Sequence, residues 1–142
     1  MIRPPVSDLD TLLHTLNPVL HDGVFVFVRD TRGAPLDSSR VVAFIREAEG
    51  LSLVVEEAFA ADEGLDVVFR CAWITLTVHS DLAAVGLTAV FSTALARVGI
   101  SCNVIAGVSH DHLFVPVEDA ERAMQELETL QRSAGLPREN LR

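Results

Sequence analysis

The sequence predicts an α+β protein made of two small two-layer units in tandem, each an antiparallel sheet backed by helices. Three observations carry this. From residue 67 the signals run strand, helix, strand, strand, helix, one strand short of a βαββαβ split unit. The first half shows a similar order that lacks its opening strand. The chain has 142 residues, 49% apolar and 22% charged, which at ~100–200 residues per domain allows one domain or two very small ones. A half of ~65 residues is marginal alone, so the halves are expected to share an extensive interface. The division is expected between Gly64 and Phe69, as units 1–66 and 67–135 followed by a flexible tail, 136–142.

The first helix is predicted from Ser7 to about Asn17: Ser7 can cap, Asp10 sits three residues on, and Leu9, Leu12, Leu13 and Leu16 recur at helical spacing. Pro18 and Asp22-Gly23 end it. Residues 24–28, all β-branched or aromatic with no polar alternation, read as a central strand buried on both faces. Residues 29–40 read as an exposed loop, 41–46 and 51–56 as a hairpin around Glu47-Ala48-Glu49-Gly50, and 58–63 as a short helix closed by Gly64. In 67–79, Trp73, Ile74, Leu76 and Val78 alternate with threonines, as in a strand. Ser80 or Asp81 then caps a helix whose Leu87, Val90, Phe91, Ala94, Leu95 and Val98 form one stripe, ending where Gly99 suits a left-handed residue. Strands are expected at 101–108 and 111–115. A last helix opens at Glu118-Asp119, carries Ala120, Ala123, Met124, Leu127, Leu130 and Ala134 on one face, and stops at Gly135 and Pro137.

Composition narrows the chemistry. Twenty acidic residues face 11 basic ones, for a formal charge of −9, so the field repels nucleic acid. All basic residues are arginines, which removes lysine Schiff bases and lysine-dependent phosphate loops. The longest uncharged stretch in a helical region, 82–96, is short of the ~20 residues a spanning helix needs, so no membrane partner is expected. Cys71 and Cys102 stand apart without metal-type spacing and no leading segment reads as a signal peptide, which suggests free thiols in the cytoplasm. Ser80, Ser92 and Ser109 have no glycine-flanked elbow, and Glu47 and Glu49 read as a solvated hairpin tip. No catalytic residue and no cofactor is expected.

The runs Trp73 to Ser80, Ala84-Val85-Gly86-Leu87-Thr88-Ala89, Gly99 to Ala106 and His110-Asp111-His112-Leu113-Phe114-Val115-Pro116, with Arg46-Glu47-Ala48-Glu49-Gly50, together resemble a family of short bacterial tandem-ACT proteins. They are also similar to the ACT repeats of aspartokinases and of CASTOR-type arginine sensors, where a segment like Asp111 to Pro116 occurs. The resemblance implies ferredoxin-like units and non-catalytic binding of a small molecule, usually an amino acid, at an interface between ACT units. The familiar Asp-x-Pro-Gly turn is replaced here by Ala84-Val85-Gly86.

The expected ligand cradle comprises Val85, Gly86, Leu87 and Thr88, then Asn103, Val104 and Ile105, and Asp111. Gly86 has two readings: a delayed helix start that leaves N–H groups of Gly86, Leu87 and Thr88 for a ligand carboxylate, or close packing against the neighbouring unit. Asp111 pairs with a ligand cation or closes a turn on its own backbone. Asn103 bonds the ligand or satisfies a strand edge. His110 and His112 share a strand face, but two imidazoles fall short of the three or four ligands of a zinc site, and no metal is expected. The uncharged flank Ala83, Ala84, Thr88, Ser92, Thr93 and Ala96 calls for contact with another helix, in this chain or a second copy, so a homo-oligomer, a dimer, is expected. The alternatives are a dimerising module without a ligand and a metal-dependent enzyme using His110 and His112.

Overall fold

A computed structural model describes Pro5, residues 7–33 and residues 36–134; the expected tail and the stops at Gly135 and Pro137 lie outside the described residues. The elements are α1 (Leu9–His14), β1 (Pro18–Leu20), β2 (Phe25–Asp30), β3 (Val41–Glu47), β4 (Gly50–Glu56), α2 (Glu57–Glu63), β5 (Asp66–Leu76), α3 (Leu87–Arg97), β6 (Asn103–Ala106), β7 (Asp111–Pro116) and α4 (Ala120–Ser133). Single 3-10 turns cover Ser38–Arg40 and Val117–Asp119. By compactness the chain divides otherwise than at 66/67: one unit is Asp22–Ala72, and the other joins the chain up to His21 with the chain from Trp73.

In the Asp22–Ala72 unit the strand order is β3-β4-β2-β5, with every described pairing antiparallel. Its opening strand is present as β2. Between its first and second strands the described residues, 31–33 and 36–40, contain no α-helix, only the 3-10 turn at whose start the Asp37 side chain accepts from the Ser39 N–H. The expected burial of β2 follows from its place between β4 and β5. The hairpin is tighter than expected: Glu47 pairs with Gly50, leaving Ala48 and Glu49 as the turn. Helix α2 ends on Gly64 in the left-handed region, as expected, and Phe59 and Ala60 pack with Val26, Val28, Leu53 and Val55 into this unit's core.

The other unit carries β5-β7-β6, with β1 antiparallel to β5 through Pro18↔Leu76, Val19↔Thr75 and Leu20↔Ile74. The strand missing from the second half is thus supplied by the N-terminal segment. Proline gave no strand signal there, since it suits the first residue of a strand only. Helix α1 packs on α3 and α4. Leu12 and Leu16 join Ile74, Phe91, Leu95, Leu113, Val115 and Leu127 among the fully buried side chains of the molecule. The cap of α1 is Asp8, accepting from the Thr11 N–H at 2.9 Å, while Ser7, the expected cap, donates to Asp81. Strands β5 and β6 are shorter than the 67–79 and 101–108 expected.

Candidate functional site

Beyond Leu76 the chain leaves β5 and turns before α3. Thr77 donates its N–H and hydroxyl to the Asn17 carbonyl. Asp81 then accepts from the Ala83 N–H at 2.9 Å, and its carbonyl accepts from the Ala84 N–H. Residues 81–84 are therefore a turn of the kind aspartate favours, so α3 does not begin at Ser80 or Asp81, the caps expected from sequence. Gly86, at φ 102° and ψ −20°, is the helix N-cap and offers no side-chain cap.

This start leaves donors without a partner in the helix. The first intrahelical bond runs from the Val90 N–H to the Gly86 carbonyl, so the N–H groups of Leu87, Thr88 and Ala89 have no partner within the helix. The helix start is delayed to Gly86, and the glycine is closely packed as well. Its backbone lies in a region that side chains rarely adopt, and a Cβ there would come 3.2 Å from Leu9 Cδ2 of α1.

A cleft of about 170 Å³ opens at this helix start. Gly86, Leu87 and Thr88 line one side, Ser80 and Asp81 precede them, Leu82 and Ala84 add apolar surface, and Ala106 and Asp111 arrive from the β6–β7 hairpin. Of the expected cradle, Gly86, Leu87, Thr88 and Asp111 are brought together. Val85 lies in the same turn but is 85% exposed; Asn103, Val104 and Ile105 belong to β6 without lining the cleft, where their neighbour Ala106 does. Sequence reasoning missed Ser80, Asp81, Leu82, Ala84 and Ala106 as lining residues.

Asp111 is buried and accepts a long hydrogen bond, 3.4 Å, from the Ser80 hydroxyl. Burial pushes its carboxyl above the ordinary carboxylate range, partly offset by Ser80, His112 and His110. Asp81 is partly exposed and is held low, first by the Ala83 N–H and then by the Ser7 hydroxyl. The cleft therefore sets helix N–H donors, suited to an anion, beside carboxylates suited to a cation.

On the alternate residue of β7, His112 is engaged elsewhere. The Trp73 indole N–H donates to its Nδ1 at 3.0 Å, and Thr75 Oγ1 lies 3.0 Å from the same atom and 2.7 Å from His21 Nε2. An indole only donates, so Nδ1 is unprotonated and the neutral ring carries its proton on Nε2. The His21 ring stacks on Trp73 at 3.5 Å between centroids. His110 Nδ1 lies 3.2 Å from the Val78 carbonyl. Burial pushes the Cys102 thiol up to about 11 and the Cys71 thiol up to about 12. Among the described residues, no group of three or more His, Cys, Asp or Glu side chains could hold a metal ion, and no helix is long and apolar enough to cross a membrane.

Comparison with known proteins also divides the chain in two, but places the residues ahead of β2 with the first part. One ACT-domain model matches residues 4–72 and a second matches 68–129. A crystal structure from Vibrio cholerae, of a protein of unknown function described as a possible transport protein, is 46% identical, with 87% of this chain and 95% of that one covered and a TM-score of 0.76. An Agrobacterium tumefaciens protein is 18% identical over 80% of this chain and 87% of its own, TM-score 0.63. The ligand-free regulatory subunit of aspartate kinase from Thermus thermophilus is 14% identical over 82% and 97%, TM-score 0.60. At these last two identities the likeness is one of fold. No curated protein matches the sequence.

Proposed function

Since the chain belongs to the ACT-domain family, as two ACT domains in tandem, we propose that it is a non-catalytic regulatory protein of the cytoplasm that binds a free amino acid in the cleft at the start of α3. The observation that carries this reading is the uncapped helix start at Gly86 sharing a cleft with Asp111. The ligand carboxylate takes the N–H groups of Leu87 and Thr88, and its ammonium takes the Asp111 carboxylate. The resemblance to ACT repeats supports a ligand held where ACT units meet, with an ACT unit of a second copy closing over the cleft. The exposure of Leu82 at 63% and Val108 at 80% supports such a cover, because apolar side chains beside a polar cleft gain from being buried. No cofactor and no covalent step enter.

Function then follows from linkage. A ligand that binds only the folded, assembled state stabilises it by ~2.7 kcal/mol at a hundredfold excess over Kd, and shifts whatever association the assembled state permits.

A thermal-shift screen of the free amino acids and common divalent metals tests this. One amino acid is expected to raise the melting temperature by about 5–10 °C at saturation, and Asp111→Asn to lose that response. The variant is expected to fold. With its pKa raised in the fold, the ionised Asp111 carboxyl is less favourable folded than unfolded at neutral pH, a cost that the amide removes. If no amino acid stabilises the wild type, or if Asp111→Asn responds as the wild type does, the reading fails; stabilisation by a metal lost in His112→Ala would favour the metal-dependent alternative.

A further inference from the structure

The stretch that builds one side of the cleft is held from the far end of the chain. Residues 77–86 join β5 to α3, and the segment around α1 grips them at both of its ends. Just ahead of α1, the Ser7 hydroxyl donates to Asp81 Oδ2 at 3.0 Å, 74 positions away in sequence. Leu9 lies against Gly86, so that a Cβ there would meet Leu9 Cδ2 at 3.2 Å. Just after α1, the Asn17 carbonyl accepts from the Thr77 N–H and hydroxyl, and the Leu16 carbonyl accepts from the Val78 N–H at 3.4 Å. Helix α1 has six residues, too few for a helix to persist in water once off its seat. Its seat is apolar: Leu12 and Leu16 are fully buried and Leu13 nearly so. Leaving the seat therefore melts α1, and its ties to residues 77–86 go with it. Such an element has two states, seated and melted, and opens as one local unit.

The cleft belongs to the seated state. The Leu87 and Thr88 donors are set by the N-cap conformation of Gly86, at φ 102° with Leu9 packed on it, and the turn before it is shaped by Asp81, which Ser7 ties down. A second hold on the stretch comes from β7, through Ser80 on Asp111 and His110 beside the Val78 carbonyl, and it reaches the residues ahead of that turn. With α1 melted, the 81–84 turn and Gly86 lose the support of Ser7 and Leu9, while Asp111 stays in its strand. The helix donors and the carboxylate are then no longer held at a fixed spacing, and a ligand that needs both binds the seated state in preference.

We propose that residues 7–17 are the element through which the cleft acts: an amino acid in the cleft keeps α1 in its seat, and an empty cleft lets α1 melt away and uncover Leu12, Leu13 and Leu16. This rests on the amino-acid reading above and says what occupancy changes. A ligand that binds the seated state alone lowers the melted population by the factor 1 + [L]/Kd, about a hundredfold at a hundredfold excess over Kd. By reciprocity, whatever draws α1 off its seat weakens the ligand to the same extent. The signal is apolar surface on a short segment, shown or hidden.

Amide hydrogen exchange of the full chain, read by NMR with and without an equimolar mixture of the common free amino acids, tests this, beside Ser7→Ala without the mixture. In the wild type the mixture is expected to slow Leu87 and Thr88. It is also expected to slow Leu12 and Thr15, whose N–H groups donate to the Asp8 and Thr11 carbonyls, by up to about a hundredfold, while amides of the β3–β4 hairpin keep their rates. In Ser7→Ala the Leu12 amide and the Ala84 amide, which donates to the Asp81 carbonyl, are expected to speed up together, about threefold or more. If Leu87 and Thr88 slow while Leu12 and Thr15 do not, the amino-acid reading stands and this proposal falls. If none of the four slows, both fall. Equal slowing of the hairpin would mean that the amino acid acts on global unfolding alone, and Ser7→Ala rates that do not rise together would break the link between α1 and the turn; either result overturns the proposal.

Discussion

Asp111 and His112 are neighbours in one strand with opposite surroundings, because alternation sends them to opposite faces. Asp111 is lifted by burial beside the α3 start. His112 is lowered by burial, with the His110 and His21 charges adding and Asp111 opposing. A folded pKa below the unfolded one means that the fold resists protonation, so stability is intact at neutral pH and is lost as pH falls below about 6.5, the ordinary imidazole value. Protonated Nδ1 also no longer accepts from Trp73, the one tryptophan in the sequence. Intrinsic fluorescence is therefore expected to change over the same acid range in which the melting temperature falls, and both slopes to flatten in His112→Gln. Gly86 and Asp111 were legible as residues, since glycine inside a helical pattern and an aspartate between two histidines both ask for a reason. Ser80 was not legible as Asp111's partner. The two lie 31 residues apart, and nothing local to either tells of the other.

At the scale of elements, the longer helices were read from their apolar stripes, and the end of α3 was read most closely. Gly99 lies in the left-handed region, its N–H donates to the Ala96 carbonyl, and the Ile100 N–H returns to Leu95. The start of α3 was misread because residues 81–86 carry helix-compatible alanines and leucine, while the turn is decided by the Asp81 side chain. The short helix α1 holds its place through a distant residue. The Gln131 side chain of α4 accepts from the Asn17 N–H at 2.8 Å and donates to the His14 carbonyl at 3.0 Å and to Asn17 Oδ1 at 2.8 Å. Asn17 itself sits at φ 46°. Gln131→Ala is expected to cost about 1 kcal/mol, and hydrogen exchange is expected to show α1 amides opening before those of α3.

For the whole molecule, the ferredoxin-like plan was legible in the order of elements, but the allotment of elements to units was not. Strand count alone cannot say that three residues beginning with Pro18 pair with the end of β5, which is a tertiary decision made by the buried leucines of α1. A fragment beginning at residue 67 matches one ACT domain in sequence yet lacks β1, Leu12 and Leu16. It is expected to expose an unpaired β5 edge and to aggregate, whereas adding residues 7–21 as a separate peptide is expected to raise its soluble, folded fraction. Sedimentation and circular dichroism of the fragment with and without the peptide check this.

The pairing of β1 with β5 also sets an order of events during synthesis. The leucine-rich helix and its short strand leave the ribosome ahead of the elements that cover them, since most of their partners are encoded more than fifty residues downstream. At ~5–20 residues per second, this greasy leader waits on the order of ten seconds before the sheet that shelters it exists. The intervening 22–72 segment meanwhile has its own strands and can settle earlier, so the segment made before it is the later of the two to find its seat.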